Sequence, residues 1–191
     1  MDGNKKVCVF CGSREGAKPV YAETATSLGR ELVKSQLDLV YGGGNVGLMG
    51  ILADSVLASG GLVTGVIPEH LFELEVGHTG ISDMRIVSSM HERKAVMASE
   101  SSAFIAMPGG FGTFEEICEI ITWAQLGLHH KPIGFLNIAG YFNPLMSAFD
   151  LGVTEKFISH QHRDMIICED SVSTLVKRIA DGIKNPDLVK F

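Results

Sequence analysis

Short apolar runs alternate with longer amphipathic segments along the whole chain. Residues 6–11, 37–41, 62–67, 85–87, 102–107, 132–136 and 165–168 are runs of strand length. Several are apolar almost without interruption, as strands buried on both faces are. Between them, apolar positions at helical spacing predict helices near residues 19–35, 46–59, 89–99, 113–126, 144–155 and 171–183. This rhythm predicts an α/β fold, a doubly wound parallel sheet with helices on both faces. No internal repeat, low-complexity segment or domain-sized linker interrupts it, so residues 1–191 are expected to form one domain. The longest connection runs from Pro68 to Asp83, a length common in functional loops.

Glycines gather where the predicted strands end, at Gly12, at Gly42-Gly43-Gly44 and at Gly109-Gly110. In an open parallel sheet those ends share one rim, where ligands bind. Three glycine loops on one rim suit a ligand of nucleotide size. Gly42 to Gly47 also matches G-x-G-x-x-G, with Glu69 about 20 residues on. It follows the second predicted strand rather than the first, and in a chain with 22 glycines a chance match is easy. A mononucleotide phosphate loop or a tight turn is the better reading than NAD or FAD binding.

Net charge of −6 argues against a nucleic-acid surface, which needs a basic face. No polybasic tract suggests a membrane surface, and residues 132–149, the longest uncharged stretch, are broken by Pro, Gly and Asn. Cys8 and Cys11 form a C-x-x-C inside a strand-like run, where positions i and i+3 point to opposite faces. Reduced thiols in the cytoplasm are therefore expected, without a disulfide framework. The seven histidines show no H-E-x-x-H and no cysteines at zinc spacing, so no metal site is expected.

The densest chemistry lies in Pro108-Gly109-Gly110-Phe111-Gly112-Thr113-Phe114-Glu115-Glu116. It joins a predicted strand to a predicted helix, so backbone N–H groups and a helix N-terminus meet where an anion would sit. Glu116 is unexplained by a phosphate site alone and hints at chemistry on a phosphorylated ligand. Thr113 and Glu116 also form T-x-x-E, the pattern of a capping box with Thr113 as cap. Ser89 and Glu92 repeat that pattern, and Arg93 and Lys94 then fall in the first turns of the next helix. Cations there oppose the helix dipole and call for an anionic partner, a ligand or a surface acid such as Glu92 or Glu100. Glu115 and Glu119 read as solvated or dipole-complementing acids, Trp123 and Phe114 as core or interface.

These motifs resemble the LONELY GUY family of cytokinin riboside 5′-monophosphate phosphoribohydrolases. The nine residues match P-G-G-x-G-T-x-x-E, and the likeness extends through residues 8–13, Tyr41-Gly42-Gly43-Gly44 with Val46-Gly47-Leu48-Met49-Gly50, Met90-His91-Glu92-Arg93-Lys94 and residues 121–127. The resemblance implies a Rossmann-like fold, no cofactor, a homodimer with active sites near the subunit interface, and cleavage of a nucleotide N-glycosidic bond. Carried over by motif, Arg93 and Glu116 are the catalytic pair. Gly109, Gly110, Gly112 and Thr113 hold phosphate, with the intervening Phe111, Phe114 and Glu115 beside the substrate. Lys94, Thr122 and Glu75 complete the site, and Ser13, Gly43, Gly44 and Met90 lie at its margin. The run Glu75-Val76-Gly77-His78-Thr79-Gly80 departs from the family pattern.

The expected substrate is a cytokinin nucleotide, with AMP as a second. Many relatives were once labelled lysine decarboxylases, but nothing here resembles a pyridoxal phosphate enzyme. The rival from another class is a non-catalytic nucleotide or molybdenum-cofactor carrier on the same fold.

Overall fold

The computed structural model describes residues 5–72 and 77–185. Its elements are β1 (Lys5–Phe10), α1 (Pro19–Lys34), β2 (Leu37–Tyr41), α2 (Gly47–Ala58), β3 (Val63–Pro68), α3 (Glu69–Phe72), β4 (Asp83–Val87) and α4 (Met90–Glu100). They continue as β5 (Ala103–Ala106), α5 (Phe111–Gln125), β6 (Ile133–Leu136), α6 (Asn143–Thr154), α7 (His160–Asp164), β7 (Ile166–Glu169) and α8 (Val172–Lys184). All seven strands pair parallel in the order β4-β3-β2-β1-β5-β6-β7. The expected Rossmann-like α/β fold is what forms. Every strand and long helix read from the sequence is present, with ends shifted by no more than a few residues. The helices α3 and α7, four and five residues long, are too short to leave a periodic signal.

The apolar runs work because successive strand residues face opposite sides of the sheet. Val7, Val9, Leu39 and Ile105 face α1, α2 and α8 and pack with Leu28, Leu32, Leu52, Val56 and Leu175. Cys8, Phe10, Val40 and Phe104 face α4, α5 and α6 and pack with Met97, Ile117, Ile120 and Met146. Each fully buried Leu, Ile or Phe contributes about 1.5–3 kcal/mol through desolvation. Cys8 and Cys11 are free thiols and belong to the two opposite packing layers, as the strand spacing requires. The β4 edge carries Asp83 and Arg85, charges that discourage pairing with another sheet.

Strand order reverses direction between β1 and β5, where Val7 lies beside Ala103 and Cys8 beside Phe104. The chains leaving these strands diverge there and open a crevice at the carboxyl rim. Among the described residues, no helix is long and apolar enough to cross a membrane.

Candidate active site

The floor of the crevice is built from the loops after β1 and β5. Gly12 N–H donates to the Pro108 carbonyl at 3.1 Å, and Leu48 N–H donates to the Gly12 carbonyl at 3.0 Å, tying in the start of α2. The approach requires glycine: a Cβ on Gly109 would strike Thr113 Oγ1 and the Gly12 nitrogen. By contrast, a Cβ on Gly110 or Gly112 would meet nothing within 4 Å, so these two face open space at the helix start.

The helix that follows begins earlier than its capping pattern implies. Gly110 is the N-cap of α5, without a side-chain cap, and Phe114 N–H bonds back to the Gly110 carbonyl at 3.2 Å. Thr113 therefore stands inside the first turn and is not the cap, which corrects the capping-box reading of Thr113 and Glu116. Gly110 is extended immediately before the helix, and with no side chain to cap them the first-turn N–H groups are left beside the crevice. The second pattern is half right. Ser89 caps α4 by accepting from Glu92 N–H at 3.2 Å, but the Glu92 carboxylate reaches past it to the Ser88 N–H and hydroxyl. Those bonds hold Glu92 below the usual carboxylate range.

Arg93 of α4 and Glu116 of α5 meet inside the crevice, Nη1 to Oε1 at 3.4 Å, with 8% and 9% of their surfaces exposed. The guanidinium is fastened on its other edges. Nε donates to the Val66 carbonyl at 3.1 Å, Nη2 donates to the Gly42 carbonyl at 3.2 Å, and Met90 Sδ lies 3.8 Å from Nη1. The ends of β2 and β3 thus hold the cation, and α5 presents the acid to its remaining edge. Burial together with the nearby Glu116 charge pushes the Cys11 thiol far up, so it faces this pair as a neutral group.

Two hollows flank the β5 loop. The smaller, about 210 Å³, is lined by Arg93, Glu116, Thr113, Phe111, Gly112 and Met49 among others. The larger, about 390 Å³, is lined by Arg14, Tyr21, Leu48, Pro108, Gly109 and Tyr141 among others. Gly12, Ser13 and Gly110 border both.

The remaining expected residues divide. Lys94 is largely buried and clamped by two acids of α5, Glu115 at 2.5 Å and Glu119 at 3.1 Å. The hydrogen bond to Glu115 is the main cause that raises its ammonium above the ordinary range. Glu115 and Glu119 are therefore not simply solvated, and Glu100 binds Lys6 and Arg85 rather than Lys94. Thr122 is exposed on the same helix face as Glu115 and bonds to its own helix at the Cys118 carbonyl, 2.8 Å away. Phe114 turns under the loop, stacking on Tyr141 at 6.3 Å and meeting the edge of Phe142. Phe111 is 92% exposed at the mouth of the smaller hollow.

Gly43 and Gly44 line neither hollow. They anchor the chain at Gly77 and His78, through the Gly44–Gly77 bridge and the His78 N–H bond to the Gly43 carbonyl at 3.1 Å. Glu75 lies outside the described residues. Tyr141, whose hydroxyl donates to the Gly109 carbonyl, was not foreseen, because an aromatic after a short strand reads as core. Among the described residues, no group of three or more His, Cys, Asp or Glu could hold a metal ion.

Comparison with known proteins adds to this geometry. A family model described as "possible lysine decarboxylase" matches residues 49–179. The cytokinin riboside 5′-monophosphate phosphoribohydrolase LOG1 of Arabidopsis thaliana is 48% identical over 97% of this chain and 87% of its own length. LOG7 of the same plant is 49% identical over 93% and 82%. The probable enzyme of that name LOGL1 from Oryza sativa subsp. japonica is 49% identical over 91% and 78%. Among solved structures, a molybdenum cofactor binding protein from Rippkaea orientalis superposes with TM-score 0.72 at 20% identity, covering 94% of this chain and 98% of that one. The molybdenum cofactor carrier of Chlamydomonas reinhardtii gives 0.69 at 16%, covering 95% and 98%. At such identities these two likenesses concern the fold alone.

Proposed function

The chain belongs to the LONELY GUY family of cytokinin riboside 5′-monophosphate phosphoribohydrolases, and from that membership we propose that it hydrolyses the N-glycosidic bond of these nucleotides. The products are the free base and ribose 5-phosphate, and AMP is a second substrate. The observation that carries the reading is the buried Arg93–Glu116 pair beside a glycine loop that opens onto a helix N-terminus.

The chemistry follows from that placement. The N–H groups at the start of α5 take the 5′-phosphate, where the helix dipole favours negative charge. Phosphate held there anchors the ribose, so binding energy remote from the reacting bond orients C1′. Glu116 stabilises positive charge developing on the ribosyl ring and accepts a proton from the attacking water. The C1′–N bond breaks with its electron pair leaving on the base, which takes up a proton. The water oxygen remains on C1′ of ribose 5-phosphate.

Arg93 spends Nε and Nη2 on strand-end carbonyls, so the division of its contacts supports a role in orienting Glu116 rather than in gripping phosphate. Ser13, Gly110, Phe111, Gly112 and Thr113 border the same hollow and complete the substrate site. Lys94 acts one layer out, by holding α5 against α4 through Glu115 and Glu119.

We take the working unit to be a homodimer in the cytoplasm. Leu126 and Leu128 at the end of α5, 66% and 69% exposed, supply apolar surface for a second copy, which sedimentation would test.

The decisive experiment incubates the purified protein with isopentenyladenosine monophosphate and with AMP, and assays free base and ribose 5-phosphate. Release of both products from the cytokinin nucleotide supports the reading. A nucleotide bound and returned unchanged would instead identify a carrier.

A further inference from the structure

The hydroxyl of Tyr141 donates to the carbonyl of Gly109, in the loop read above as the phosphate cradle. Three rings hold the phenol in place. Phe114 stacks on it at 6.3 Å with planes 9° apart, Tyr21 meets it edge-on at 6.0 Å, and Phe142 meets it edge-on at 5.1 Å. The loop is braced from its other side too, since Gly109 sits against Thr113 and the Gly12 nitrogen with no room for a Cβ.

A trans peptide unit is planar, with its C=O and the following N–H pointing in opposite directions. Holding the Gly109 carbonyl therefore also sets where the Gly110 N–H points. Tyr141 and Gly109 line only the larger hollow, whereas Gly110 borders both hollows. With the carbonyl turned to Tyr141, the N–H turns away from it, and Gly110 itself lines the hollow that also holds Arg93, Thr113 and Glu116.

We propose that Tyr141 is a positioning residue for substrate phosphate, acting through the Gly109–Gly110 peptide and touching no reacting atom. The idea rests on the phosphoribohydrolase reading. It deepens that reading by naming what aims one N–H of the cradle. Without the hydroxyl, the carbonyl loses one of the restraints that fix the peptide plane, and part of the cost of ordering the donor then falls on phosphate binding.

The test compares the full-length protein with Tyr141→Phe, which keeps the ring and its three aromatic contacts. Calorimetry measures Kd for ribose 5-phosphate and for the free product base, and steady-state kinetics separates kcat from KM on the nucleoside monophosphate. One aimed hydrogen bond is worth up to about tenfold in affinity. Tyr141→Phe is expected to weaken ribose 5-phosphate and raise KM by about that factor, with base affinity and kcat little changed. A merely structural role would weaken both ligands together and lower kcat and the melting temperature, and that pattern overturns the proposal. Unchanged ribose 5-phosphate affinity overturns it as well. A wild-type protein that neither binds ribose 5-phosphate nor releases base overturns the functional reading and this inference with it. Loss of ribose 5-phosphate affinity in the variant alone, with base affinity and kcat kept, supports both.

Discussion

The guanidinium Nη2 of Arg93 stands where a Cβ on Gly42 would have to be, and the Gly42 carbonyl receives its hydrogen bond at 3.2 Å. A glycine at the end of β2 is thus the seat of a cation borne by α4, fifty-one residues on. Much of what resembles a dinucleotide fingerprint is accounted for in this way. Gly42 accommodates Arg93, and Gly47, at φ +59°, lies against the Ser13 backbone.

Gly42→Ala is expected to displace the guanidinium from its seat. Breaking a buried ion pair costs about 3–5 kcal/mol, so denaturant midpoints should fall, and turnover should fall at least about 100-fold as Glu116 loses its orienting partner. An alanine variant with wild-type turnover would show that Arg93 does not need this seat.

Glu116→Gln keeps the shape of the side chain and removes its charge. Turnover of the nucleotide should drop by about 100-fold to 10,000-fold, as when a general base is lost. Nucleotide affinity, measured by calorimetry, should change by less than about threefold, because phosphate binding depends on backbone N–H groups. A parallel loss of affinity and turnover would instead make Glu116 a binding residue.

Alanine at Gly109 should behave unlike alanine at Gly110 or Gly112. The first drives a methyl into Thr113 and the Gly12 nitrogen, and overpacking of this kind costs about 1–3 kcal/mol. The other two add a methyl to open space, so thermal unfolding should move by no more than about 1 kcal/mol. Since neither methyl meets a more distant part of this chain, a rise in KM at Gly110→Ala or Gly112→Ala would report a clash with the bound nucleotide. Wild-type KM in both would remove these glycines from the phosphate site.

His129 is expected to make folding sensitive to mild acid. Its Nδ1 accepts from Lys131 N–H at 3.1 Å, so Nε2 carries the proton donated to the Ile120 carbonyl at 3.0 Å, and the ring is neutral. Burial lowers its pKa below the ordinary 6.5. The unfolded chain therefore binds the proton first as pH falls through 6.5, and stability declines from there down to the native pKa and is flat above. Denaturant midpoints should fall as pH drops below about 6.5 and stay level above it, and His129→Gln should reduce that fall. Equal slopes in both proteins would assign the effect to other groups.

The rhythm of apolar runs places the interior strands, because strands buried on both faces must be apolar at nearly every position. The same rhythm marks the less buried edge strands β4 and β7 by their short apolar stretches. The nine-residue motif and the Arg93 segment, through the family resemblance they carry, likewise name both members of the buried pair. The start of α5 was misplaced by two residues. T-x-x-E carries a capping pattern in any context, whereas in the fold the helix begins directly after Gly110, with the neighbouring Gly109 packed against Gly12.

Tyr141 was illegible for a related reason. Nothing local distinguishes an aromatic that fills core from one whose hydroxyl reaches a carbonyl thirty-two residues away. The chain's own pattern therefore determined the parallel sheet, the rim that carries its loops and the residue types available for chemistry. These follow from local periodicity and from backbone sterics at glycine. Tertiary structure alone decided that Arg93 would sit on Gly42, that Lys94 would be spent on Glu115 and Glu119, and that Tyr141 would hold the loop. Those are contacts between segments far apart in sequence, set by how helices pack on the sheet, and no short stretch of the chain encodes them.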